Sequence, residues 1–413
     1  MLSACSNEDN LGGNGEQAST PKIQLGVSNS VGVTTRGTGT VGDLDGGNNV
    51  WAGQELFVYM LNKGEMGLAC YVSPDGQTTT LDGAVFDNEK FNAPVGEASA
   101  EAKTQSGKIA YYPVSGNFDF WGYRVDDATQ GTPYMVDAEG NTTTDETEAV
   151  KRVVDVKIDG SQDIMTGKAA LVNGDVDKLG AYPENYYSAY AARKEVQPNI
   201  SFNHNLTRFT FEVRAGSKGT CGQIANGDVA DAVRVTGISV KSKTDGKLTV
   251  AYTADNAPES VLEFPGNFED VATALKLKQR STAGETDHNV ALVDLQEVPL
   301  TWDDDNNQAD VIKVGEALLV APGETEYPFT VDLKQVVKTN EDGTTDELSL
   351  QQNTKIVMDG VKTFEAGKSY KVTITVYGVE RIVVTATLVP WQDGGSIDID
   401  DDREENPIYT PGN

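Results

Sequence analysis

Arg381-Ile382-Val383-Val384-Thr385-Ala386-Thr387-Leu388-Val389-Pro390-Trp391-Gln392-Asp393-Gly394-Gly395 carries the reading of the fold. Its first nine residues are β-branched or small and uncharged after Arg381, which predicts a strand. Pro390 and the Gly394-Gly395 pair stop it. A domain can end there, yet residues 396–413 run on as an acidic tail. Within the tail, Ser396-Ile397-Asp398-Ile399-Asp400 alternates apolar with polar residues, and Pro407-Ile408-Tyr409 follows. From the residues alone two readings stand: a disordered tail, or a spare strand for a sheet edge on another molecule.

The pattern that predicts the last strand recurs along the chain. Thr, Val, Gly and Asp are conspicuous, and no long run carries a 3.6-residue apolar period, so the protein is expected to be all-β. A chain of 413 residues suggests two or three domains. The formal charge of −30 speaks against nucleic acid and anionic headgroups as direct partners. With two histidines and three cysteines, imidazole or thiol catalysis and zinc sites have little material, and no cofactor is expected. Cys70 and Cys221 are either paired or two free thiols.

Working outward to the N-terminus, Leu2-Ser3-Ala4-Cys5 looks like the end of a bacterial lipoprotein signal, with Cys5 the acylated residue. Residues 6–21 form a polar tether. In Lys22-Ile23-Gln24-Leu25-Gly26-Val27-Ser28, the alternation of Ile23, Leu25 and Val27 gives one apolar face to a strand. Thr34-Thr35-Arg36-Gly37-Thr38-Gly39 is a small-residue loop around one arginine, which suits an Arg-specific protease. Further strands are expected at 51–60, 68–72, 108–113, 117–124 and 150–158, with a short helix within 88–108 and a polar surface loop at 125–148. Val233–Lys241 and Lys247–Tyr252 are expected to pair as a hairpin around Thr244-Asp245-Gly246. Leu206, Phe209, Phe211 and Val213 alternate with one slip, and Pro299 marks an edge or a bulge. The expected boundaries are a leader remnant and tether at 1–21, a domain at 22–195 with its first strand at 22–33, a domain at 196–395, and the tail at 396–413.

Asp303-Asp304-Asp305-Asn306-Asn307 is the best cation candidate. It lacks the central Gly and closing Glu of an EF-hand and is read as a solvated acidic loop, so no metal is expected. His204 is read as structural, and Trp121, Tyr123, Trp302 and Trp391 as core.

Four stretches together resemble the Bacteroides fimbrillin family, the type V pilins and their minor subunits. They are Asp163-Ile164-Met165-Thr166-Gly167, ISFNHNLTRFTFEV at 200–213, GEALLVAPG at 315–323 and VTATLVPWQDGG at 384–395, joined by GKSYKVTITV at 367–376. The resemblance implies two transthyretin-like β-sandwich domains in tandem. It implies a lipoprotein precursor in the outer membrane, anchored through Cys5, and a cut between Arg36 and Gly37 by an Arg-specific protease. The cut would release the strand bearing Ile23, Leu25 and Val27. The tail of another subunit, with Ile397 and Ile399 and a second anchor at Ile408 and Tyr409, would fill the groove. The expected protein is thus a non-enzymatic subunit of a cell-surface fimbrium that supports adhesion, with copies of itself and other pilins as partners. The alternative is a non-polymerising surface lipoprotein that binds glycan or another host ligand.

Overall fold

The computed structural model describes residues 21–29, 51, 53–71, 84–95, 99–125, 129–180, 186–221, 232–281, 291–339, 345–358, 360, 363–379 and 381–389. Two strands rich in large apolar residues organise its N-terminal half. In Glu55–Asn62, Leu56, Val58 and Met60 face one core, while Phe57, Tyr59 and Leu61 face another. In Phe118–Val125, Phe118 and Phe120 join the first core, while Trp121, Tyr123 and Val125 join the second. A near-continuous apolar run is what a strand covered on both faces requires.

These two strands lie within an eight-stranded sheet. From one edge to the other the order is Ser99–Glu101, Gly26–Asn29, Asn199–His204, Ile164–Lys168, Phe118–Val125, Glu55–Asn62, Glu89–Asn92 and Lys103–Thr104. The two edge strands are separated only by Ala102, so the sheet curls until its edges meet in the single segment 99–104. The result is a barrel-like closure whose interior is the first core, with Ile23, Leu25, Val27, Trp51, Phe120, Ile200 and Phe202 buried in it. Two short helices, Asn173–Leu179 and Ala189–Arg193, add Leu179, Ala189 and Ala191. Ser188 caps the second by accepting the Ala191 N–H at 3.1 Å.

The outer face carries the second core. Phe57 stacks on Tyr123, and Trp121 meets Tyr252 edge-on. Covering them is a six-stranded sheet built on Ala149–Lys157 and Asp245–Tyr252, which supply Val154, Val156, Leu248 and Val250.

The C-terminal half is a sandwich. Ile312–Val320, Thr207–Ala215, Ser369–Gly378 and Arg381–Val389 form one sheet. Thr273–Lys276, Val233–Ser242, Tyr327–Thr339 and Thr345–Ile356, with Val298–Pro299 as a short edge on Val233–Ser242, form the other. Phe211 stacks on Phe329, and Phe209 meets Tyr327 and Phe364 edge-on between the sheets.

Six expectations change, two of them at 68–71 and 108–113, which hold isolated bridges where strands are expected. Asn199–His204 lies beyond the expected boundary at 195, yet it pairs with Gly26–Asn29 and Ile164–Lys168 in the N-terminal sheet. The chain crosses to the other half at Asn205–Leu206 instead. Val233–Ser242 and Asp245–Tyr252 form no hairpin; they diverge into different sheets, because their apolar faces are buried in different cores. The stretch 88–108 holds three short strands and no helix among its described residues. Within 125–148, Tyr134–Asp137 and Thr142–Thr143 pair instead of forming an open loop. The slip in the Leu206–Val213 alternation falls between Leu206, in the N-terminal half's second core, and Phe209, in the core of the sandwich; opposite Phe209–Phe211 the extra residues of the register shift lie on Ile312–Val320. Cys70 and Cys221 are free thiols, half-buried in separate cores, each raised in pKa chiefly by burial.

Gly122 shows how tightly the barrel interior is packed. A Cβ there would sit 2.7 Å from the Phe202 ring and 3.1 Å from Ile200. Gly122→Val is therefore expected to lower stability by about 1–3 kcal/mol, measured by denaturant unfolding; an unchanged midpoint would contradict the packing described.

Candidate functional site

The first strand is the candidate site. Along Lys22–Ser28, Ile23, Leu25 and Val27 are 5, 2 and 0 % exposed, while Lys22 and Gln24 face solvent. The expected alternation is therefore the burial pattern observed. Fully burying three aliphatic side chains contributes roughly 5–9 kcal/mol at about 1.5–3 kcal/mol each, before the cost of ordering.

The backbone is paired on both sides. On one side Gly26–Asn29 runs parallel to residues 199–202, with Val27 opposite Ile200, and the Gly26 N–H donates to Pro198 O at 2.8 Å. On the other it runs antiparallel to Ser99–Glu101, and the Ala102 N–H donates to Leu25 O at 2.8 Å. Towards its start, the Ile23 N–H donates to Ala110 O at 2.9 Å and the Tyr112 N–H donates to Pro21 O at 3.0 Å. Gln197 clamps the edge, accepting the Gln24 N–H at 3.2 Å through Oε1 and donating from Nε2 to Lys22 O at 3.1 Å. Removing this one strand would open an apolar slot between residues 99–102 and 197–202, with unpaired backbone groups on both rims.

The ends of the loop that carries the arginine are also placed. The first strand ends at Asn29, and the chain returns at Trp51, whose buried ring meets Phe202 edge-on at 5.7 Å. Cys5, Arg36, Gly37, Ile397, Ile399, Ile408 and Tyr409 lie outside the described residues. Arg381–Val389, from which the tail departs, pairs with Ser369–Gly378 alone among the described strands.

A buried ionic cluster closes the wall of the slot. Met165 is in register with both His204 and Arg124 across three strands. His204 Nδ1 lies 2.7 Å from Asp163 Oδ2, and both side chains are almost wholly buried, as is Arg124. Burial alone would raise the Asp163 carboxyl, but the charges of His204 and Arg124 and the hydrogen bond from His204 hold it below the ordinary range. Sequence reasoning found His204 as structural and quoted Asp163 within a motif. It missed the pairing and Arg124, because contacts across 41 residues leave no local signal.

The other candidates resolve into structure. Asp303 accepts the Asp305 and Asn306 N–H groups at 2.9 and 3.0 Å and the Asn306 side-chain amide at 2.6 Å, so the acidic loop is a bonded turn between Trp302–Asp303 and Gln308–Ala309. No group of three or more metal-ligating acidic, His or Cys side chains occurs among the described residues. Trp121 and Tyr123 are core, and Trp302 is half-buried.

These features define a class: a β protein in which one N-terminal strand, contributed from outside the local order of the sheet, completes a core. The profile of the Fimbrillin-like family matches residues 35–391, and the chain belongs to that family of fimbrial and adhesin-like subunits. Similar solved structures include a cell-adhesion candidate from Bacteroides uniformis, 16% identical, covering 91% of this chain and 100% of that one at a TM-score of 0.37. Another, from Parabacteroides distasonis, is 11% identical over 92% and 99%, at 0.39. The fimbrial anchor protein Mfa2 from Porphyromonas gingivalis is 11% identical over 90% and 98%, at 0.31. No curated protein matches the chain.

Because the Asp163 carboxyl is lowered, its stabilisation is present above the ordinary aspartate value near ~4 and is lost as pH falls through the lowered value. Acid unfolding of the chain followed by circular dichroism is expected to lose a step below about pH 4 in Asp163→Asn, relative to the parent. Identical acid limbs would contradict the charge assignment.

Proposed function

We propose that the protein is a structural subunit of a cell-surface fimbrium that joins its neighbours by strand exchange. The observation that carries this reading is the first strand itself. Its three apolar side chains are buried in the barrel and its backbone is bonded on both sides.

While the chain is intact, the first strand competes with any replacement at the high effective concentration of a tethered segment. A cut between Arg36 and Gly37 removes that advantage, and rebinding becomes bimolecular. An incoming strand with the same period-2 face can then win. Residues 396–400 carry that face at Ile397 and Ile399, with Ile408 and Tyr409 as a second anchor. Main-chain hydrogen bonds to the two rims would supply most of the sequence-tolerant affinity. In this reading Cys5 holds the precursor to the outer membrane by its lipid, and the cut frees the subunit for assembly. Of the aromatics weighed for a sugar-binding platform, Trp121 and Tyr123 are buried and Trp302 is half-buried, while Trp391 lies outside the described residues.

Digestion with an Arg-specific protease tests the proposal. The chain is expected to yield one dominant cut after Arg36 and then concentration-dependent ladders on native gels. Arg36→Ala and a chain ending at residue 395 are each expected to abolish the ladders. Ladders that persist without residues 396–413, or a cut chain that stays monomeric, would overturn it.

A further inference from the structure

Beside the first strand lies a cavity of about 290 Å³. Its floor is apolar: Ile23 and Leu25 of the strand itself, with Phe86 and Phe91 beneath. The cavity opens between the segment 101–104 and the segment 107–110, so solvent reaches it while the first strand is in place. Its size, at or below the lower bound of roughly 300 Å³ for small-molecule sites, suits a single large side chain.

The mouth is basic in a strongly acidic chain. Lys22, Lys103 and Lys108 surround it. Their carboxylate partners are at long range: Glu101 lies 3.7 Å from Lys22 and 3.9 Å from Lys103, and Glu89 lies 3.8 Å from Lys108. The Lys22–Glu101 and Lys103–Glu101 pairs are exposed and weak and exchange readily for an incoming carboxylate, while Lys108 is also held by the Val85 carbonyl at 2.6 Å. Ile109, on the same rim, is 59 % exposed and extends the apolar surface outward.

We infer that this cavity captures the C-terminal tail of a second copy before the first strand leaves. The tail matches it in charge and in shape. Asp398, Asp400, Asp401, Asp402, Glu404 and Glu405 form an acidic run that meets the lysines, and Tyr409 follows as the one aromatic residue of 396–413. A tyrosine has an apolar body for the floor and a hydroxyl for the wet, charged mouth. The identity of the occupant rests on the exchange reading above. The order of events is new: docking at the cavity comes first and sets the incoming strand beside the slot it will fill. Ile23 and Leu25 line the cavity and fill the slot, so a residue seated there lies beside the space the first strand vacates as it withdraws.

A fluorescein-labelled peptide of residues 396–413, titrated against the uncut full-length chain and read by anisotropy, tests the inference. Saturable binding is expected. It should weaken at least tenfold with Tyr409→Ala in the peptide, with Lys22→Glu and Lys103→Glu together in the chain, and with a rise in salt from 50 mM to 500 mM. A scrambled peptide of the same composition should bind at least tenfold more weakly. Failure of the uncut chain to bind, or equal binding of the Tyr409→Ala or scrambled peptide, overturns the inference. If the peptide binds only after cleavage, the capture cavity falls and strand exchange stands. If the uncut chain binds as expected and the cut chain never polymerises, the cavity stands and strand exchange falls.

Discussion

The backbone of the first strand must find hydrogen-bond partners on both sides, and the rest of the N-terminal half is arranged around that requirement. Residues 197–202 supply one rim, and residues 99–102 with 110–112 supply the other. These rims come from distant parts of the chain and are brought together by the curl of the eight-stranded sheet, whose edges meet at Ala102. With the strand in place the barrel has no open edge there. Without it, two rims and an apolar floor face solvent at once, an arrangement that aggregates or captures another strand.

The wall that would carry that load is itself thinly paired. Asn199–His204 shares two ladder pairs with Ile164–Lys168, Met165 with His204 and Thr166 with Asn203, and one isolated bridge beyond them, Ile200 with Ala169. The Asn205 N–H donates to Ile164 O at 2.9 Å, and the buried Asp163–His204 contact ties the same end. A charge pair sealed in the interior is a costly way to gain stability, but it fixes geometry and is strongly destabilising to break. Its position, where the chain crosses between the two halves, keeps the wall in register with the sheet beneath it.

Much of this was legible in the sequence where the signal is local. The face of Ile23, Leu25 and Val27 follows from a period of two, and the final strand from its β-branched run and its stop at Pro390. The change of core between Leu206 and Phe209 showed as a broken alternation. What was not legible was partnership. Asn199–His204 reads as the start of a second domain because the alternation continues into Thr207–Ala215, and only tertiary pairing sends the two strands into different sheets. Val233–Ser242 and Asp245–Tyr252 have hairpin chemistry between them and still separate, since their faces are buried in different cores. Asp163 and Arg124 carried no periodic signature, and the cavity beside Ile23 is a property of packing that composition does not encode.

Hydrogen exchange of the chain before and after cleavage at Arg36 tests the central claim, that the first strand is a separable part of the barrel. After cleavage and removal of the released fragment, residue 26 departs with the fragment, and the amides of 102 and 112, which donate to Leu25 O and Pro21 O, are expected to lose protection together with the wall at 199–202. The amides of 207–215 and 369–378 in the C-terminal sandwich are expected to keep theirs. Adding a peptide of residues 21–29 should restore protection to the wall. Unchanged protection at 102 and 199–202, or a loss spread evenly over both halves, would contradict the account.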